Sequence, residues 1–252
     1  MELREIDIAV AKAFVKANHY SEVMPRITKV VLGTFEGERL VGVMTLGWGT
    51  RPMHTIKKLF PSLDTLDYLE IGKMCALDEM PKNFESQFLS GAIKWLKKNR
   101  PTVKVLYTWA DGIIGKPGYV YQAANFAYGG YIWTEMYLDK NGNRVHVRSM
   151  QGHPDLPQST GKMKSRALSL TMALGYTKYW GLQFRYCYPL CNKRDWLKLQ
   201  AESTVKWFNA MFCSKAAYPK DADCKWKRQD GPGLKIPCDL PKGIRTKYIT
   251  GP

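Results

Sequence analysis

Residues 68–111, "YLEIGKMCALDEMPKNFESQFLSGAIKWLKKNRPTVKVLYTWAD", decide the fold. YLEIGKMCALDE alternates enough to be a strand. In SQFLSGAIKWLKKN, Phe88, Leu89, Ala92, Ile93 and Leu96 share one helical face, and lysines close the last turn, where the helix dipole favours cations. VKVLYTWAD is apolar almost throughout, as a strand covered on both faces must be. A strand, a crossover helix and a second strand of one sheet form a right-handed unit, so the spacing predicts two parallel central strands.

Working outward, IDIAVAKAFVKANHY brings Ile8, Ala11 and Val15 near helical spacing behind a capping Asp7, and predicts a helix over about 8–17. KVVLGTFEGERLVGVMTLGWG holds two apolar runs split by Glu36-Gly37-Glu38, the composition of a hairpin. Downstream, VYQAANFAYGG predicts a short helix with a glycine stop, and YIWTEMYLDKNGNRVHVR a hairpin around Asn141-Gly142. The order is that of an α/β fold, a central mixed sheet flanked by helices, and is similar to the GNAT type of acyltransferase. Beyond Met150 the composition shifts. QGHPDLPQSTGKMKSR predicts an exposed connection, SRALSLTMALGY a helix and YWGLQFRYCYPL a strand; from about Ala217 the prolines and weak periodicity predict a segment wrapping the surface. The expected division is a catalytic domain over 1–150 and a basic extension over 151–252, packed on it and contributing to DNA binding.

Lys and Arg number 38 against 22 Asp and Glu, and the excess is uneven: 20 basic against 15 acidic groups up to residue 150, then 18 against 7. A basic segment interleaved with Trp and Tyr suits a polyanion, because neutralised phosphates release counterions. Lys162, Lys164, Arg166, Arg185, Lys193 and Arg194 are the candidate DNA contacts, each with the plainer alternative of a solvated charge. The six cysteines match no zinc template, so free thiols are expected, with a zinc site from Cys191, Cys213, Cys224 and Cys238 as a lesser option. There is no run of 18 uncharged apolar residues and no signal-peptide pattern, so a cytoplasmic chain without a membrane partner is expected.

Asp111 ends an apolar run, at the strand edge where ligands meet open α/β sheets. Asp-Gly is also turn chemistry by itself. Tyr119, Tyr121, Tyr128 and Tyr131 crowd nearby, and buried hydroxyls need partners, each unpaired one costing about 1–3 kcal/mol. His19 follows the first helix, where it serves equally as a cap on the dipole.

"NHYS" (18–21), "LGWGT" (46–50), "YLEIGKMCAL" (68–77), "YTWADGIIGKPGYVYQAANFAYGG" (107–130) and "FRYCYPL" (184–190) resemble the bacteriophage Mom family of DNA modification proteins. That family looks like an offshoot of the GNAT acetyltransferases. The resemblance implies transfer of a carbamoylmethyl (acetamido) group to the N6 amine of adenine in double-stranded phage DNA, in the cytoplasm of the infected bacterium, as protection from restriction. By motif the functional residues fall on His19, Tyr20, Asp111 and Tyr121. Where the loop after Ala-Asp is expected to hold a histidine, this chain has Gly115-Lys116-Pro117. His19, Asp111 and Tyr121 would also make a hard O/N site for iron. Acetyl-CoA or a related acyl donor is implied, its pyrophosphate at the start of the central helix near Lys82, Asn83 and Ser86, although the usual glycine-rich loop is missing. An enzyme of this kind extrudes the base, with Trp48, Trp109 and Tyr121 as stacking surfaces and Asp111 and His19 as bases. Two rivals stand beside this reading: a GNAT acetylating another amine, and a non-catalytic DNA-binding anti-restriction protein. The oligomeric state is open, a homodimer included.

Overall fold

The computed structural model describes residues 2–19, 24–49, 52–145, 175–208, 218–231 and 233–240. Its strands are β1 (Glu2–Glu5), β2 (Thr28–Glu36), β3 (Arg39–Gly47), β4 (Tyr68–Ala76), β5 (Val105–Ala110), β6 (Ala127–Leu138), β7 (Arg144–Val145), β8 (Thr177–Pro189), β9 (Trp226–Gly231) and β10 (Leu234–Cys238). The helices are α1 (Ile8–Asn18), α2 (Pro52–Leu59), α3 (Phe84–Asn99), α4 (Tyr119–Ala123) and α5 (Lys193–Glu202). Two compact units interleave along the chain. The first is Met1–Ala110, Gly118–Gly130 and Arg185–Tyr218; the second is Asp111–Pro117, Tyr131–Phe184 and Pro219–Pro252. The chain passes between the units at 110/111, 117/118, 130/131, 184/185 and 218/219; the division expected at residue 150 lies outside the described residues.

In the first unit β1, β2, β3 and β4 pair antiparallel in sequence order, and β4 pairs parallel with β5. This is the expected hairpin followed by a strand–helix–strand unit, and the mixed sheet with flanking helices is the α/β fold expected. Side chains alternate along a strand, so Val105, Tyr107 and Trp109 of β5 face one way and Leu106, Thr108 and Ala110 the other. On the first face Ile56 and Leu59 of α2 and Trp196 and Leu199 of α5 pack with Phe60, Tyr68, Tyr107, Cys187 and Trp207. Further along it, Ala11 and Val15 of α1 cover Val31, Val43 and Cys75. Asp7 caps α1 as expected, its Oδ1 accepting from Ala9 N at 2.6 Å. The opposite face is covered by α3, whose Phe88, Leu89, Ala92, Ile93 and Leu96 are buried, with α4 beside it.

The glycine stop expected for α4 is not the one used. The helix ends at Ala123, the chain turns at Asn125 with φ 60°, and Gly129 and Gly130 lie inside β6. Gly129 is small for a packing reason, since a Cβ there would lie 2.4 Å from the Trp207 ring.

In the second unit β6 lies between β8 and β7, and the β6–β7 hairpin turns at Asn141-Gly142 as expected, with Asp139 Oδ1 accepting from Asn141 N and Asn143 N at 2.8 Å. The surface-wrapping segment expected after Ala217 instead contains the β9–β10 hairpin, added antiparallel to β8. Pro237 is tolerated because it sits on β10, which among the described residues pairs only with β9. Among the described residues no helix is long and apolar enough to cross a membrane.

Candidate active site

The ladder between β4 and β5 is short. It runs through Tyr68–Val105, Leu69–Leu106 and Glu70–Tyr107 and stops, although β4 continues to Ala76 and β5 to Ala110. Beside this point β4 carries a bulge: Thr45 pairs with Lys73 and Leu46 with Ile71, leaving Gly72 as the extra residue. A bulge bends and twists its strand, here away from β5. Thr108 Oγ1 spans the opening, 3.4 Å from the Ile71 carbonyl oxygen and 3.3 Å from Tyr121 Oη.

Glu70 and Tyr107 are the last pair of that ladder, and neighbours in register share a face. Glu70 lies opposite Gly47 on its other side, and the chain passes closely over it: a Cβ on Gly49, itself at φ +69°, would collide with the Glu70 carboxylate. Burial pushes this carboxyl up to about 7. Tyr107 is fully buried, and its hydroxyl has no hydrogen-bond partner among the described residues. Burial raises it well above the ordinary tyrosine value, with the Arg185 guanidinium pulling it down and the Glu70 carboxylate pushing it up. Trp109 meets the Tyr107 ring edge-on at 5.5 Å, and Arg185 lies over Trp109 at 5.5 Å while its Nη1 donates to the Gly129 carbonyl at 2.9 Å. A carboxyl able to take or give a proton near neutrality, an orphaned hydroxyl, a half-buried cation and an indole thus converge where two strands part.

Tyr121 lies on the other face of β5. Its ring packs on Phe126 at 5.5 Å and Tyr186 at 5.4 Å, and Gln122 Nε2 donates to Tyr186 Oη at 3.0 Å. The expected stacking group of Trp48, Trp109 and Tyr121 is therefore divided, with Trp109 and Tyr121 on opposite sides of their strand. Trp48 is half-buried with Lys29 Nζ 4.1 Å over its ring, and its carbonyl accepts from Tyr68 Oη at 3.0 Å. His19 is the C-cap of α1, its backbone N–H donating to the Val15 carbonyl at 2.9 Å, and is half-buried. Tyr20 lies outside the described residues. Asp111 belongs to the second unit, where its carbonyl accepts from Ile114 N and Lys116 N and its Oδ1 accepts from Gln183 Nε2 at 3.0 Å. It both starts a turn and holds a β8 side chain.

Of the candidate DNA contacts, Lys193 and Arg194 are exposed in the first turn of α5, while Lys162, Lys164 and Arg166 lie outside the described residues. Arg185 is half-buried against Trp109 rather than on a solvated face.

At the start of α3, Asn83 is left-handed at φ 70° and no side chain caps the first turn. Lys82 is exposed, and Ser86 Oγ donates to the Asn83 carbonyl at 3.1 Å. An uncapped first turn beside a lysine fits a phosphate, with Glu85 the one opposing charge. Iron does not fit. Among the described residues no three or more His, Cys, Asp and Glu side chains gather as a metal set, and the Tyr121 and Asp111 oxygens meet Thr108 and Gln183. The described cysteines are free thiols, as expected; burial raises Cys75 to about 12 and holds Cys187 well above the ordinary thiol value.

The family model of the Mom proteins matches residues 1–206, and the chain belongs to the Mom protein family. Over 150 residues it is 32% identical to the methylcarbamoylase Mom of Escherichia phage Mu, covering 60% of this chain and 61% of that one. The match thus spans less than two thirds of that relative. Among solved structures the chain is similar to an aminoglycoside 6'-acetyltransferase type Ii (TM-score 0.42, 10% identity, 77% of this chain and 99% of that one). It is also similar to a Bacillus subtilis acetyltransferase in complex with CoA (TM-score 0.39, 16% identity, 75% and 97%).

Proposed function

We propose that this chain is a phage DNA modification enzyme, a transferase that places a carbamoylmethyl or other acyl-derived group on the N6 amine of adenine. The observation that carries this reading is the Glu70 carboxyl, held near neutrality beside the orphaned Tyr107 hydroxyl at the parting of β4 and β5. Membership of the Mom family and the likeness to a methylcarbamoylase support it.

The N6 amine is a poor nucleophile because its lone pair is delocalised into the ring, so its proton must leave as the new bond forms. Glu70 takes that proton as the nitrogen attacks. An acyl thioester donor, bound with its phosphates at Lys82, Asn83 and Ser86, supplies the electrophilic carbon. The N–C bond forms, the C–S bond breaks, and the thiolate takes a proton from solvent. Arg185, over the Trp109 ring, supplies a positive charge beside Tyr107, and Tyr107 gives its hydroxyl to the substrate. Trp109 offers an indole to the extruded base. Asp111, His19, Tyr20 and Tyr121 keep the roles that the resemblance to the Mom family implies; Lys193 and Arg194 meet phosphate, as would Lys162, Lys164 and Arg166. Attack on an acetyl thioester carbonyl gives N6-acetyladenine, with the nitrogen bound to the carbonyl carbon; a carbamoylmethyl product has its nitrogen bound to the methylene, so it requires a donor whose methylene carries the leaving group and whose carbonyl carries the second nitrogen.

Mass spectrometry of nucleosides from the DNA of cells expressing the chain tests this. A new adenine adduct is expected, lost in Glu70→Gln and reduced in Asp111→Ala. An acetylated acceptor other than DNA would replace this reading with an ordinary acetyltransferase, and the absence of any adduct would leave a DNA-coating protein.

A further inference from the structure

The second unit carries a sheet face that the chemistry above does not use. Lys178 pairs with Gln229 and Trp180 with Lys227 between β8 and β9, and Lys235 pairs with Gln229 between β9 and β10. Directly paired residues share a face, so Lys178, Trp180, Lys227, Gln229 and Lys235 point the same way. Trp133 of β6 joins them, since Lys227 Nζ lies 4.4 Å over its ring. Lys235 Nζ sits 3.6 Å over Trp180, Lys178 Nζ 4.8 Å from the same ring, and Trp180 Nε1 donates to Gln229 Oε1 at 2.8 Å. Lys178 is neutralised by Glu135 at 2.6 Å. Among the described residues the ion pairs include neither Lys227 nor Lys235, and Lys235 is exposed.

We propose that this face docks a nucleic-acid strand with unpaired bases, its phosphates taken by Lys227 and Lys235 and its bases by the Trp133 and Trp180 rings. The proposal rests on reading the chain as a DNA-modifying protein, and it adds residues other than Lys162, Lys164, Arg166, Lys193 and Arg194 to the DNA contacts. Two indoles and two ammonium groups without carboxylate partners on one twisted sheet are the parts such a platform needs, because every base has a π-face and every linkage a charge. A lysine resting on an indole is a loose cover. Its ammonium can swing to a phosphate, and the ring is then bare for a base. A core reading does not account for Lys235, which is exposed on the outermost strand.

The test is fluorescence anisotropy of the full chain with a labelled single-stranded oligodeoxynucleotide across a salt series, together with quenching of tryptophan emission. Lys227→Ala with Lys235→Ala is expected to weaken binding at least tenfold at low salt and to flatten the salt slope by about 1.4, two contacts at about 0.7 each. Trp180→Leu is expected to weaken binding with the slope unchanged, and Lys140→Glu, an exposed turn residue of the same unit, to change affinity less than twofold. Wild-type emission is expected to be quenched by the oligonucleotide and not by an abasic strand of equal length, a readout that needs no folded variant. Equal quenching by both, unchanged slopes in the lysine variant, or equal competition by polyglutamate would overturn the proposal. The assay needs no acyl donor, so the two ideas fail separately. An adenine adduct made equally by wild type and the lysine variant removes this surface and leaves the chemistry. Binding lost in the variant, with no adduct in any DNA, keeps the surface and removes the chemistry.

Discussion

The two sides of β5 handle buried polar groups in opposite ways. On the side of Thr108, hydroxyls and an amide are partnered: Thr108 with Ile71 and Tyr121, and Tyr186 with Gln122. On the side of Tyr107, one hydroxyl is buried without a partner among the described residues and a carboxyl is pushed up to about 7 by burial. Burying a polar group without a hydrogen bond costs stability, so the second arrangement is a poor way to build a core and a good way to receive a ligand. In the function proposed above, the partnered side holds the sheet together and the unpartnered side receives the substrate.

The sharpest way to break that contrast is Glu70→Gln. Loss of a positioned general base is expected to lower the rate of adduct formation on the order of 10²–10⁴-fold with the fold intact. Because only the ionised carboxylate accepts a proton, wild-type kcat/KM is expected to rise with pH and level off above about 7, the value to which burial moves this group. A variant with undiminished activity, or a profile without that rise, would take Glu70 out of the chemistry. Tyr107→Phe comes next. It removes a hydroxyl that has no hydrogen-bond partner among the described residues, so thermal stability is expected to hold or improve, while activity falls on the order of tenfold, the worth of one hydrogen bond made to substrate. A destabilised Tyr107→Phe would mean that the hydroxyl has a structural partner after all.

The helices α1 and α3, the β2–β3 hairpin and the parallel β4–β5 pair were legible because each rests on local periodicity and local turn or cap chemistry. Where the signal was short or split, it failed. β1 is four residues, three of them charged, and gains its strand character only from pairing with β2. The prolines after Ala217 hid β9 and β10, since a proline is compatible with an edge strand but the sequence does not say which strand is the edge. α5 could have been found, because Asn192 caps it and Trp196 and Leu199 are three apart on its buried side. Glu70 was hidden by the rule that identified its strand. In an alternating segment a glutamate between Leu69 and Ile71 reads as solvent-facing, and its enclosure comes from Gly49, about twenty residues upstream, and from the Tyr107 strand. Trp133, Trp180, Lys227 and Lys235 were scattered through stretches read separately, and only strand pairing gathers them.

On the partnered side of β5, Tyr186→Phe removes the hydrogen bond that Gln122 Nε2 donates to Tyr186 Oη. The expected cost is about 1 kcal/mol, a fall in Tm of about 2–4 °C for a chain of this size, with activity at low temperature unchanged. Parallel melts of Tyr186→Phe and Tyr107→Phe compare the two sides directly, and equal melting losses would erase the distinction between them.

The contrast is sharpened further by the pH dependence of stability carried by Glu70. Its folded value is raised from 4.5 to about 7, so within that window the folded chain holds a proton that the unfolded chain has released. The stability contributed by this group is therefore fully present below 4.5, declines as pH rises to about 7 and is flat beyond it, with a slope of at most about 1.4 kcal/mol per pH unit. Subtracting the Glu70→Gln melting curve at each pH from that of the wild type isolates this contribution. A difference that grows with pH across the window would mean that the carboxylate is held ionised by a cation close to it, and the site would then be built to bind a substrate's positive charge rather than to remove its proton.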